Sequence, residues 1–195
     1  MKTVVEVSAE HRALLRLVNS RLNQIYGVPV WRDPLPPVDE LASTCLSQNT
    51  NDANSGRAFR ALKEAFPDWD AVRHAAAAAL EAALRPGGLA RVKARGIQKL
   101  LGALADRGSL TLDSLRPLSV EEAEAELLRF DGVGLKTARC VLLFALGKPA
   151  FPIDTHIERV LKRLGVLPEG VSTEQAHRLA ADAVPEGRHL SLHLN

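Results

Sequence analysis

Residues 127 to 156, LLRFDGVGLKTARCVLLFALGKPAFPIDTH, restrict the fold more than any other stretch of the chain. An apolar helical run ends at a tight Gly132-Val133-Gly134 turn, a second apolar helix opens at Leu135-Lys136-Thr137, and Asp154 follows a short return segment. The start of that second helix leaves backbone N–H groups without intrahelical acceptors, an arrangement that attracts phosphate. A helix of about 12 residues, from 135 to 146, rises about 18 Å. The segment from 147 to 153 can stretch to about 25 Å. The chain can therefore return the Asp154 carboxylate to the side of the Lys136 amine.

Helical spacing runs through nearly the whole sequence, and no alternating run argues for a strand. A helix is expected from Ser8 to about Gly27, with Leu14, Leu15, Val18, Leu22 and Ile25 on one face. A proline-rich loop, pinned by Trp31, leads to a second helix over 37–47 with Val38, Leu41, Ala42, Cys45 and Leu46 inward. Asn51 or Asp52 caps a third, with Ala58, Phe59, Leu62 and Phe66 buried, and Pro67 stops it. The alanine-rich run over 74–84 predicts a helix by propensity, broken at Arg85-Pro86-Gly87-Gly88. The helix after that break turns Val92, Ile97, Leu100, Leu101 and Leu104 inward and its cations outward. Leu112, Leu115 and Leu118 line a connection to the helix that enters the Gly-x-Gly turn. Beyond it, Thr155 and Glu158 have capping-box spacing for a helix with Ile157, Val160, Leu161 and Leu164, and Ser172 with Gln175 opens another. The last stretch, GRHLSLHLN, reads as a helix that breaks off, so a further C-terminal segment is expected in relatives or in a longer form.

The formal charge of +2 is too small to argue for nucleic acid, but its distribution is uneven. Arg85, Arg91, Lys93, Arg95, Lys99 and Arg107 crowd one stretch, and Lys136, Arg139, Lys148, Arg159, Lys162 and Arg163 another. Between them lie Glu121, Glu122, Glu124, Glu126 and Asp131. The two cysteines, Cys45 and Cys140, sit among apolar residues as buried small hydrophobes and cannot supply a four-thiolate cluster or a Cys-rich zinc site. No run approaches the roughly 18 apolar residues of a membrane span. A cytosolic, reduced protein is the expectation.

FDGVGLKTA followed by PIDTH resembles the signature of the helix-hairpin-helix (HhH-GPD) DNA glycosylases, and its lysine form is similar to the endonuclease III branch. LSQNTND at 46–52 resembles the segment that supplies that branch with a polar finger inserted into the duplex. The resemblance implies a nucleoid-associated monomer with an all-α, two-lobed fold and its active site in the cleft between lobes. Residues 36–145 form one lobe, ending in the hairpin at 121–146, and 1–35 with 147–195 form the other. It implies base excision repair: a glycosylase and AP lyase that removes oxidised pyrimidines from duplex DNA through a lysine Schiff base and β-elimination. Another lesion (uracil, a thymine mismatch or oxidised guanine) or a non-catalytic DNA-binding module are the alternatives.

Carried over by position, Lys136 is the nucleophile and Asp154 the essential carboxylate. The residue types suit that chemistry, because a neutral amine can attack C1′ and a carboxylate can stabilise positive charge on the sugar as the base leaves. Asp154 read without the resemblance is a helix cap, but Thr155 is the better placed for that position. Gln48, with Asn49 and Thr50, is the finger, or else a polar helix end. Leu89 is an apolar wedge, or else the first core residue of its helix. Gly132, Val133, Gly134 and Thr137 hold the DNA backbone, with a monovalent cation on the turn's carbonyls, and His156 is a polar or packed neighbour. Three departures stand out: many relatives carry four [4Fe-4S] cysteines absent here, Asp131 stands where proline is common, and Leu135 where Arg or Thr is frequent.

Overall fold

A computed structural model describes residues 6–31 and 33–195. Every regular element among them is helical. The α-helices, in chain order, are α1 (Ala9–Tyr26), α2 (Pro37–Ser47), α3 (Asp52–Ala65), α4 (Trp69–His74), α5 (Ala77–Leu84), α6 (Ala90–Asp106), α7 (Val120–Leu127), α8 (Leu135–Cys140), α9 (Thr155–Arg163), α10 (Thr173–Ala183) and α11 (His189–Leu194). The caps explain most of the boundaries. The side chains of Ser8, Asn51, Asp68, Ser119 and Ser172 each accept a hydrogen bond from a first-turn N–H of the helix that follows.

Buried apolar side chains form two clusters. The larger is built on α2 to α8, from Val38 through Leu101 and Leu142 to Ala150. The smaller joins Leu15 of α1 to Phe151 and Ile153 of the return segment and to the buried faces of α9 and α10. Lys136 stands at the start of α8 in the first body, and Asp154 follows directly on the apolar anchor of the second. The return segment therefore does more than close a loop. It carries Asp154 from one cluster to the other.

Several expectations are corrected. The alanine-rich run does not form one helix over 74–84: Ala75 and Ala76 are extended, separating α4 from α5. The Gln98 side-chain amide accounts for the break, donating to the carbonyls of Val72, Arg73 and Ala75 at 3.4, 3.3 and 2.9 Å. Those carbonyls are the ones a helix end leaves without partners, so a tertiary donor outweighs local propensity. The helix after the hairpin is not uniform either. From Val141 to Ala145 it widens into a π-turn, with the Leu146 N–H donating to the Val141 carbonyl at 3.2 Å. Trp31 stacks on Phe144 at 4.8 Å and donates its indole N–H to the Phe144 carbonyl at 3.0 Å, so the widened turn is tied down. Val92 and Val160 face solvent instead of the core, at 67% and 48% exposure.

Nor do the cations all point outward. Lys93 is buried and donates to the Gly87 carbonyl at 2.8 Å. The acidic segment gathers partners from both basic stretches: Asp131 pairs with Lys99, Glu126 with Arg107 and Glu124 with Arg139. Charge that is segregated along the chain is thus partly matched in space. Arg85, Arg91 and Arg95 remain exposed and form no ion pair among the described residues.

Candidate active site

The hairpin turn takes its shape from backbone demands. Gly132 sits at φ +82°, a conformation that costs an L side chain about 1–2 kcal/mol, and the Val133 N–H donates to the Phe130 carbonyl at 3.1 Å. Val133 itself packs into the core, so neither its side chain nor its N–H faces a ligand. Gly134 is different: its φ is −97°, and an added Cβ would meet nothing within 4 Å. The first intrahelical bond of α8 runs from the Ala138 N–H to the Gly134 carbonyl at 2.9 Å. The N–H groups of Leu135, Lys136 and Thr137 are therefore left open at a helix N-terminus, suited to an anion.

Two braces hold this turn. Asp131, the residue in place of proline, pairs with Lys99 on α6, and this partner keeps its carboxyl below the usual range. Its charge is directed at α6 instead of at the anion site. Gln48 supplies the other brace, its side-chain amide donating to the Gly132 carbonyl at 3.2 Å and to the Thr137 hydroxyl at 3.5 Å. The expected finger is thus folded back onto the hairpin. Asn49, left-handed at φ +56° and exposed, forms the tip of the loop with half-buried Thr50. Thr137 is only 4% exposed, so its side chain braces the turn and is not open to DNA.

Across from that tip stands Leu89. It is left-handed at φ +50°, 55% exposed, and forms the N-cap of α6. Between the two runs a groove of about 230 Å³, lined by Gln48, Asn49, Leu89, Val92, Asp131 and Gly132 among others. Leu89 is no core residue. A larger cleft of about 820 Å³ opens elsewhere on α8, beside Leu135, Arg139 and Glu124, and neither Lys136 nor Asp154 lines it.

Lys136 is half-buried, and its charge acts on the carboxylate of Glu40, the thiols of Cys45 and Cys140, and the imidazole of His193. Burial pushes both thiols up to about 11, so they are protonated at neutral pH and suit packing better than thiolate ligation of a cluster. The charge of Asp154 also acts on Cys140 and His193, so the same thiol and imidazole feel both the amine and the carboxylate.

Asp154 corrects the expected cap. The N-cap of α9 is Asp154, not Thr155: its Oδ1 accepts from the N–H groups of His156 and Ile157 at 2.9 and 2.8 Å. Just before it, the Ile153 N–H donates to His177 Nε2 at 3.2 Å, while His177 Nδ1 lies 2.9 Å from the Thr173 carbonyl. Nε2 must accept, so the ring is neutral with its proton on Nδ1, and burial lowers its pKa accordingly. His156 is exposed, with Arg159 at 3.0 Å from its Nδ1.

Two participants escaped the sequence reading. His193 packs edge-on against Phe144 and Phe151 at 5.2 and 5.8 Å, and its Nδ1 is buried without a hydrogen-bond partner among the described residues. Glu40 is buried on α2. The i, i+4, i+8 spacing of Glu40, Thr44 and Gln48 is the signal that could have found the second.

Residues 42–186 match the model of the HhH-GPD superfamily base excision DNA repair protein. A protein of Arabidopsis thaliana named as a candidate DNA glycosylase is 49% identical over 133 residues, 68% of this chain and 45% of that one. Endonuclease III of Thermotoga maritima is 35% identical over 130 residues, 66% of this chain and 57% of that one. The chain thus spans about half the length of these curated relatives. A solved endonuclease III, held in a trapped covalent intermediate with DNA, superposes with a TM-score of 0.77 at 28% identity, covering 93% of this chain and 83% of that one.

Proposed function

The chain belongs to the HhH-GPD superfamily of base excision DNA repair proteins, and from that premise we propose that it is a bifunctional glycosylase and AP lyase acting on oxidised pyrimidines in duplex DNA. What supports this reading most is that the charges of Lys136 and Asp154 both act on Cys140 and His193, with Lys136 in the first turn of α8 beside its open N–H groups. Those amides and bare Gly134 receive a DNA phosphate. Asn49 and Leu89 fill the space left in the duplex when the damaged nucleotide rotates out, a step required because its reactive carbon is hidden in the stack. The Lys136 amine attacks C1′ and the base leaves with the bonding electrons. The sugar ring opens to a Schiff base, and loss of the C2′ proton expels the 3′ phosphate. Asp154 stabilises the positive charge that gathers on the sugar as the base departs. A monovalent cation at the turn would share the Gly132 carbonyl with the Gln48 amide.

Borohydride trapping on a lesion-bearing duplex tests the assignment. Wild type cross-links and Lys136→Gln does not; equal cross-linking by the two sinks it. The cap geometry favours a second, purely structural role for Asp154, and one substitution separates the two. Asn caps a helix as well as Asp does, so Asp154→Asn keeps the fold while removing the charge. Base release is expected to fall at least about a hundredfold, as for loss of one electrostatic stabiliser. Undiminished release with unchanged stability leaves Asp154 as a cap alone, whereas a wild type that neither releases base nor cross-links favours a DNA-binding module.

A further inference from the structure

A line of hydrogen bonds runs from the hairpin helix to the peptide that precedes Asp154. Arg139 lies on α8, one turn beyond Lys136, with most of its side chain covered. Its Nε and Nη2 donate to the Glu124 carboxylate of α7, and its Nη1 donates to the His177 carbonyl of α10 at 2.8 Å. His177 is 1% exposed. Its Nδ1–H donates to the Thr173 carbonyl at 2.9 Å, and its Nε2 accepts the Ile153 N–H at 3.2 Å. The path therefore leaves the helix that carries Lys136, crosses α10, and ends on the return segment.

Both flanks of Asp154 are fixed in this way. In front of it the buried Ile153 is held by His177, and behind it Asp154 Oδ1 accepts the His156 and Ile157 N–H groups at 2.9 and 2.8 Å. Oδ2 accepts no hydrogen bond among the described residues, so it is the oxygen left for a ligand. The histidine is not needed to start α10, which has its own capping box of Ser172 and Gln175. The rest of the buried face of that helix is apolar, made of Ala176, Leu179, Ala180 and Ala183. A ring nitrogen set into such a face is costly unless it is bonded, and its one acceptor is committed to the Ile153 N–H.

We propose that His177 is a positioning residue for base release: with Arg139 it clasps the peptide before Asp154 to the hairpin helix, and so fixes the Asp154 carboxylate relative to Lys136. The proposal rests on the reading of Lys136 as nucleophile and Asp154 as charge stabiliser. A carboxylate helps only where positive charge develops on the sugar, and a misplacement of about 1 Å forfeits much of the effect. The clasp therefore bears unequally on the two reactions. Departure of the base builds the charge that Asp154 stabilises, whereas attack of Lys136 on a preformed abasic site involves no departing base.

The test compares single-turnover base release from a duplex carrying one thymine glycol, an oxidised pyrimidine, with borohydride trapping on a duplex carrying one abasic site. His177→Met fills the space but offers the Ile153 N–H no comparable acceptor. It is expected to release base about tenfold more slowly, while trapping on the abasic duplex and affinity for it change by less than about twofold. His177→Gln, whose amide oxygen accepts an N–H, restores most of the rate. A merely structural role slows both reactions alike or neither, and either result overturns the proposal. Arg139→Lys keeps a charge beside Glu124 but loses the fork that joins Glu124 to His177, so it shows the same split at about threefold. The double variant loses no more than His177→Met does, because both break one clasp, and losses that multiply overturn the link. Should His177→Met fail to fold, the split in Arg139→Lys decides by the same outcomes. A wild type that neither releases base nor cross-links overturns the enzymatic reading and this proposal with it. Slow release by Asp154→Asn beside wild-type release by His177→Met overturns the clasp alone.

Discussion

Two glycine turns flank the groove between Asn49 and Leu89, and they use glycine for different reasons. At Gly87-Gly88 the protein's own interior makes the demand: a Cβ on Gly87 would lie 2.9 Å from Ala58 Cβ, and Lys93 is buried to hold the Gly87 carbonyl. At Gly132-Val133-Gly134 the demand is divided. Gly132 needs its positive φ, whereas Gly134 has an ordinary conformation with open space where a side chain would go. Nothing inside the protein requires the second glycine of the hairpin. Its bareness faces outward, toward whatever backbone approaches the open N–H groups of α8.

Alanine and methionine substitutions can break or sharpen this contrast. Gly87→Ala is expected to cost the most stability, about 3 kcal/mol, because the overpacked methyl meets a neighbouring helix and not a flexible side chain; denaturant midpoints measure it. Gly132→Ala should cost about 1–2 kcal/mol from the left-handed backbone alone, and a thermal scan that shows no loss would mean the turn relaxes freely. Lys93→Met removes the donor to the Gly87 carbonyl without emptying the site, an expected loss of about 1 kcal/mol, accompanied by faster hydrogen exchange at Gly88 and Leu89. Gly134→Ala should change stability by less than about 0.5 kcal/mol yet weaken binding to an abasic duplex about tenfold. Equal stability losses at Gly132 and Gly134, or full DNA affinity in Gly134→Ala, would erase the distinction between the two turns.

The hairpin was legible in the sequence because everything it needs lies within a few residues: a turn glycine, a helix start and a lysine in the first turn. The Asp154 cap was misassigned to Thr155 because both residues are good caps and only the backbone path decides which one sits at the boundary. The α4–α5 break was hidden for another reason. Its cause, Gln98, lies 23 residues beyond Ala75, and no local propensity reports a donor that arrives from so far along the chain. The same distance concealed the reversal of Gln48, whose acceptors Gly132 and Thr137 lie 84 and 89 residues on. Val92 was read inward from its spacing, but the left-handed start at Leu89 turns both residues out to the groove.

The sequence by itself determined the helical class, most helix boundaries and the glycine turn that opens a helix at Lys136, since periodicity, capping and turn chemistry are local properties of the chain. Tertiary structure alone decided how the acidic segment is matched to two basic ones, which side chains brace the hairpin, how a neutral His177 sets the backbone before Asp154, and that the Glu40 carboxyl on α2 is buried. These depend on distances between helices, and those distances are fixed by packing around two apolar clusters and not by any pattern along one helix.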